Sequence, residues 1–370
     1  RIYACVEDVK FMRVFIDPLT QLRTLSTSAH HFRRQALAFL NFLHARGITA
    51  LFSSEMQEEE ADAYLQVIAD GVFDLSKHAD RRVFEVMKFR GSDFREGPHS
   101  LRLTAEGMKV FPRLTPEDYG IEFRADHLSS GIPELDEVLG GGIERGTVTL
   151  ITGPAGVGKT TLGIQFMKEA AGRGEHSVVY SFEEQAEILL CRCEALNIPA
   201  RTMMDKGTLS LRRVEPLGMS ADEFAQDVRR EVEERKAKIV MIDSIAGYRL
   251  TLQGGDLVQH LHALCKYLQN MGVAVLLINE VEGISGDFRV TDFQISYLSD
   301  NVVFIRYMER HTETGVELRK VLGVLKKRLT AFDQAVHELE FSRFGLKVGA
   351  RLSGVTSILS QMPIWRPGQR

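Results

Sequence analysis

Apolar residues fall into two rhythms along this chain. Short continuous runs occur at Thr147 to Ile151, Ser177 to Phe182, Ile239 to Ile242 and Val273 to Ile278. Between them, Thr161 to Ala171, Gln185 to Leu196, Asp222 to Lys236 and Leu257 to Met271 carry apolar residues at helical spacing. Strands that are apolar throughout are buried on both faces. Their alternation with helices predicts a mostly parallel α/β sheet flanked by helices. After Asn301 the pattern changes to strands and turns, with His311-Thr312-Glu313-Thr314-Gly315 reading as a hairpin loop. That predicts an antiparallel C-terminal extension.

The chain also repeats itself. Phe15-Ile16-Asp17 resembles Met241-Ile242-Asp243, and Gly47-Ile48-Thr49-Ala50-Leu51 with Glu55 resembles Gly272-Val273-Ala274-Val275-Leu276 with Glu280. Ala69-Asp70-Gly71-Val72 parallels Ser299-Asp300-Asn301-Val302, and Lys88-Phe89-Arg90 parallels Lys326-Lys327-Arg328. The separation is 226 and 225 residues for the first two pairs, then 230 and 238, as small loop insertions in a tandem duplication would produce. The expected organisation is therefore the C-terminal half of a first unit over 1–112, a linker over 113–126, a complete second unit over 127–350 and a tail over 351–370. Roughly a hundred residues of the first unit, including its own phosphate loop, would be missing. The first residue, Arg1 rather than Met, agrees with a fragment.

Composition narrows the picture modestly. With 46 Lys+Arg against 50 Asp+Glu, the net charge of −4 gives no general pull towards nucleic acid or anionic membrane. The four cysteines, Cys5, Cys191, Cys193 and Cys265, form no zinc-type spacing and read as reduced cytosolic thiols. No apolar run approaches a membrane span. The expected location is cytoplasmic, with no membrane partner and no nucleic acid.

Chemistry concentrates at Gly153-Pro154-Ala155-Gly156-Val157-Gly158-Lys159-Thr160, followed by Thr161. This G-x-x-x-x-G-K-[ST] pattern lies between a strand and a helix, the context in which backbone N–H groups turn inward around phosphate oxygens. ATP is the expected ligand, with Lys159 on the β- and γ-phosphates and the Thr160 hydroxyl on Mg²⁺. Asp243 ends an apolar strand and fits the second magnesium position; alone it would read as a cap. Glu183 and Glu184 follow the strand Ser177 to Phe182 at the edge where ligands bind in such sheets. Either Glu183 activates the attacking hydroxyl with Glu184 beside it, or both only favour the next helix's dipole. Lys326 and Arg328 alternate along a strand and so share a face. That face is either a charged, solvated edge or, in a ring, a reach to a neighbour's γ-phosphate.

Together these residues resemble the KaiC-like proteins, double-domain RecA-superfamily ATPases. The resemblance runs through Ser130-Gly131-Ile132-Pro133-Glu134-Leu135-Asp136, Gly140-Gly141-Gly142 and the phosphate loop. It continues through Ser181-Phe182-Glu183-Glu184, Met241-Ile242-Asp243-Ser244, Asn279-Glu280 and Ile295-Ser296-Tyr297-Leu298-Ser299-Asp300. It implies a RecA-like P-loop fold and stacked hexameric rings with ATP between subunits. It further implies Glu183 as general base and magnesium-site residue, with Lys326 and Arg328 acting in trans. In the family's clock kinase an adjacent Ser-Thr pair is phosphorylated; here the pair is Ser296 and Tyr297, and Thr291 matches a further threonine near the site. Thus a Ser/Thr autokinase with acceptors Ser296 and Thr291 is implied, beside plain ATP hydrolysis. The tail from Leu352 to Arg370 resembles the family's closing segment, through which a signalling or clock-type partner would act; a frayed terminus is the duller reading.

Two competing functions stay open on the sequence. A RecA/RadA-like DNA-repair ATPase would want a basic channel with stacking aromatics. The stretch 283–293 offers Asp287 and Asp292 against Arg289 instead. The other is a regulatory scaffold whose nucleotide state only gates partner binding.

Overall fold

The computed structural model describes residues 11–54, 60–78, 81–116, 120, 126–252, 256–281, 295–312, 315–356 and 364–365. The chain divides into two compact units, Arg1–Val110 and Phe111–Arg370.

In the first unit, β1 (Arg13–Ile16) and β2 (Thr49–Phe52) form a parallel pair joined through α1 (Ala29–Ala45). Ser28 caps α1 by accepting a hydrogen bond from the His31 amide. After α2 (Glu60–Ile68) come β3 (Gly71–His78), β4 (Arg81–Phe89), β5 (His99–Thr104) and β6 (Gly107–Phe111), a four-stranded sheet in that order. Small clusters around Phe39 and Leu43, and around Leu19 and Phe32, hold the helices down.

The second unit opens with β7 (His127–Leu128), α3 (Pro133–Val138) and β8 (Ile143–Glu144). Next come β9 (Val148–Gly153), α4 (Lys159–Gly172), β10 (Ser177–Ser181), α5 (Ala186–Ala195), α6 (Ala200–Asp205), β11 (Leu209–Arg213) and α7 (Ala221–Glu233). They lead to β12 (Ile239–Asp243), α8 (Ile245–Leu250), α9 (Leu257–Asn270) and β13 (Ala274–Glu280). The last strands are β14 (Asn301–Thr312), β15 (Gly315–Lys326), β16 (His337–Ser342), β17 (Gly345–Arg351), β18 (Val355–Thr356) and β19 (Ile364–Trp365). The main sheet runs β11-β10-β12-β13-β9-β14-β15-β16-β17. It is parallel from β11 to β14 and antiparallel beyond. This is a RecA-like α/β fold. The extension begins one strand later than the pattern change at Asn301 suggests, because β14 still pairs parallel with β9.

Strand alternation sorts the core onto two faces. Ile151, Val179, Met241 and Leu276 pack on the side of α4 and α5, with Leu162, Phe166 and Leu189. Leu150, Tyr180, Val240 and Leu277 pack on the side of α7 and α9, with Phe224, Val228 and Leu264. The repeat counterparts differ sharply. Phe15 and Leu51, register partners in β1–β2, are 63% and 55% exposed, whereas Met241 and Leu276 are fully buried. In the second unit α4 covers that face so closely that a Cβ on Gly163 would lie 2.4 Å from the Met241 sulfur.

The tail does not fray throughout. Its β19 pairs parallel with β14 at Glu309 and Arg310, and β18 pairs with β19.

Candidate nucleotide site

The sheet order brings the candidate residues to one edge. Register places Asp243 opposite Ser181, two residues before Glu183, and places Glu280 opposite Gly153, the first residue of the loop. All lie at C-terminal ends of parallel strands, where an open α/β sheet leaves its ligand crevice.

The loop residues divide into those that shape a cradle and those that face it. Gly158 caps α4 in a left-handed conformation, φ 110°, and a Cβ there would lie 2.3 Å from Cζ of Phe341. Gly153 packs equally tightly, with an added Cβ 2.1 Å from the Ile305 carbonyl oxygen. Only glycine fits both positions, and the same bare backbone is what a polyphosphate needs. Val157 and Thr161 are buried in support, while Ala155 is exposed. Lys320, half-buried on β15, donates to the Gly156 carbonyl at 3.2 Å over the Phe341 ring.

Lys159 stands at the start of α4, its side chain 7% exposed. Its ammonium donates to the Pro154 carbonyl at 2.8 Å and lies 3.7 Å from a Glu280 carboxylate oxygen. Burial pushes the Lys159 pKa down, against the pull of Glu280, Asp243 and Glu183. Thr160 donates its hydroxyl to Asp243 at 2.7 Å. Burial raises the Asp243 pKa, opposed by that bond and by Lys159. A hydroxyl and a carboxylate already in contact supply the hard oxygen donors suited to Mg²⁺, the remaining positions falling to phosphate and water. Among the described residues no cluster of three or more His, Cys, Asp or Glu forms a ready-made metal cage.

The two glutamates take different partners. Glu183 accepts a 2.5 Å hydrogen bond from Ser244, the residue after Asp243. Glu184 is ion-paired with Arg192 of α5 at 2.8 Å. Neither side chain caps the following helix, whose N-cap Gln185 makes no side-chain capping bond.

At the far end of β15 the arrangement departs from expectation. Lys326 ends the strand and Arg328 lies beyond it, so the two do not alternate along one strand. Both instead bind the turn that carries Ser296. Lys326 donates to the carbonyls of Ser296 and Ser299, at 3.2 and 2.5 Å. Arg328 donates to Asp300 and to the Tyr297 carbonyl, each at 3.2 Å. Between Lys326 and Arg328, Lys327 turns inward. Its fully buried ammonium meets Glu144 at 2.8 Å and the carbonyls of Leu139 and Gly142 at 2.5 and 2.8 Å. Burial pushes Glu144 up, but the hydrogen bonds from Lys327 and Thr330 outweigh it and hold the pKa below the ordinary range. Ser296 is half-buried in a short 3₁₀ turn, Ile295–Tyr297, and its described contacts run to the Lys326 end, away from the loop. Thr291 and the stretch 283–293 lie outside the described residues.

Glu280, Ser244, Arg192, Lys320 and Lys327 are functional candidates that pattern reasoning did not single out as site residues. Only the strand-end position of Glu280 offered a signal.

The family profile described as "ATPase: KaiC" matches residues 1–115 and 128–353. This chain belongs to the KaiC ATPase family. It is 25% identical over 98% of its length to the circadian clock oscillator protein KaiC of Prochlorococcus marinus, covering 73% of that protein. It is 24% identical to the KaiC of Acaryochloris marina and to the circadian clock protein KaiC3 of Synechocystis. In each case 98% or 99% of this chain is matched, over 70% and 73% of the relative. Membership makes ATP the ligand class for the cradle. Among the described residues no helix is long and apolar enough to cross a membrane.

Proposed function

We propose that this chain is a Mg²⁺-dependent ATP hydrolase and serine/threonine autokinase that works as a ring, with nucleotide at subunit boundaries. The carrying observation is the coupled pair of contacts Thr160–Asp243 and Ser244–Glu183 on adjacent strand ends. One pair holds the metal side of the phosphate, and the other aims a carboxylate beside it.

Residues 153–161 cradle the phosphates, with Lys159 supplying the fixed positive charge. Thr160 and Asp243 would hold Mg²⁺, which when bound would supply charge neutralisation at the phosphoryl oxygens. Glu183, oriented by Ser244, takes the proton from the attacking hydroxyl as its oxygen bonds to the γ-phosphorus. The bond from that phosphorus to the bridging oxygen breaks, and the electron pair leaves on ADP. Glu184, held by Arg192, supports the position of Glu183. With water as nucleophile the product is phosphate; with Ser296 or Thr291 of a neighbouring subunit it is a phosphoprotein.

Lys326 and Arg328 bind the Ser296 turn of their own chain. In our reading they hold strand end and acceptor turn as one block that faces the next subunit's γ-phosphate. The complete catalytic unit spans 127–350, preceded by the half-unit 1–112 and the linker 113–126. The tail 351–370, anchored on β14 through Ile364–Trp365, is the surface for a signalling or clock-type partner in the cytoplasm.

The test is phosphosite mass spectrometry after incubation with Mg-ATP, run beside a phosphate-release assay on wild type and Lys159→Ala. Phosphate on Ser296 or Thr291 in wild type alone supports the kinase. Release of phosphate with neither residue modified reduces the reading to an ATPase, and no release removes both.

A further inference from the structure

The contact between Glu280 and Lys159 has no place in the chemistry above. A nucleotide-binding lysine must present its charge to phosphate oxygens. Here its ammonium is turned to the Pro154 carbonyl and lies within ion-pair distance of a carboxylate. Glu280 is well placed for this by the sheet itself. It is the last residue of β13, in register with Gly153, between the phosphate-loop strand and the strand ending in Asp243. The Glu280 carboxylate is 46% exposed, whereas the Lys159 side chain is 7% exposed. The first unit carries Glu55 at the corresponding sequence position.

We propose that Glu280 is a nucleotide-release residue, whose carboxylate competes with the β- and γ-phosphates for Lys159. The inference rests on the nucleotide reading of the site given above. When nucleotide is bound, Lys159 swings to the phosphates and Glu280 is left as an uncompensated negative charge beside them. When nucleotide leaves, Glu280 recovers the ammonium, and the empty site is the more favourable for it. Like charges sharing one cation raise the free energy of the filled state. Glu280 therefore weakens binding in proportion to the number of phosphates reaching Lys159. A residue of this kind speeds product departure, which limits turnover in many enzymes of this type.

The test uses the full chain, in EDTA to remove the metal's contribution, and compares AMP, ADP and a non-hydrolysable ATP analogue. Glu280→Gln keeps the shape and removes the charge. The expected result is tighter binding of ADP and of the analogue by roughly three- to tenfold, mainly through slower dissociation. AMP, which has no β- or γ-phosphate, should be unchanged, and Glu280→Asp should restore the wild-type values. The gain should also vanish in a Lys159→Ala background. Unchanged or weaker ADP binding in Glu280→Gln, with wild type binding normally, overturns this inference and leaves the site reading intact. An equal gain for AMP overturns it too, because the effect would not pass through Lys159. Failure of wild type to bind any nucleotide overturns both.

Discussion

The buried pair Lys327–Glu144 offers the sharpest quantitative test of how the second unit is held together. Both side chains are essentially excluded from solvent, at 0% and 1% exposure. Lys327→Met keeps the stem and removes the ammonium. It strips Glu144 of its counter-charge and deprives the carbonyls of Leu139 and Gly142 of a donor. Glu144 would keep neutral donors, among them Thr330 at 2.9 Å, Asn301 at 3.1 Å and a backbone amide. Breaking one side of a buried ion pair costs about 3–5 kcal/mol, chiefly because the surviving charge is orphaned. For a unit of this size each kcal/mol moves the midpoint by roughly 2–4 °C, so the larger unit's calorimetric transition should fall by roughly 6–20 °C. Adding Glu144→Gln should recover part of the loss. pH gives a second signature. In wild type the Glu144 pKa lies below its unfolded value of 4.5, so this stabilisation is present above pH 4.5 and disappears as pH falls through the lowered value. In Lys327→Met that acid-linked loss should be absent. A fall of less than about 1 kcal/mol at neutral pH, or no recovery in the double variant, would refute the reasoning. Because Lys327 separates Lys326 from Arg328, faster hydrogen exchange in the Ser296 turn should accompany the loss.

Two further outcomes follow from the same kind of contact. Gly158→Ala forces a side chain onto φ 110° and puts its Cβ 2.3 Å from the Phe341 ring; nucleotide affinity measured by titration should drop at least roughly tenfold, and Phe341→Ala should not restore it, since the backbone strain remains. Glu231 is buried against Arg212 and His176, whose hydrogen bonds outweigh the upward push of burial and hold its pKa below 4.5. Its contribution is therefore complete above pH 4.5 and lost on acidification through the lowered value, and Glu231→Gln should flatten that limb of a melting-temperature profile taken between about pH 6 and pH 3.

What the sequence determined by itself was local in origin. Val, Ile and Leu runs at Ile239–Ile242 and Val273–Ile278 can be satisfied only by burial on both faces, and the structure has β12 and β13 there. The glycine, lysine and threonine pattern of residues 153–160 was legible because its spacing between a strand and a helix is local. Asp243 was readable as a strand-end carboxylate. Short elements were less visible. β11, Leu209–Arg213, ends in two arginines, and only Glu231 from α7 explains how Arg212 sits beside a buried carboxylate. The tertiary structure alone decided the contacts between distant strand ends. Threading β9 between β13 and β14 sets Glu280 against Lys159, and β10 beside β12 sets Glu183 against Ser244. It also set Lys327 against Glu144, and ended β15 at Lys326 so that Arg328 lies beyond the strand on which alternation had placed it. Periodicity reports which way a side chain faces relative to its own element. Which partner waits there depends on the order in which crossovers insert strands into the sheet, and no local spacing records that order.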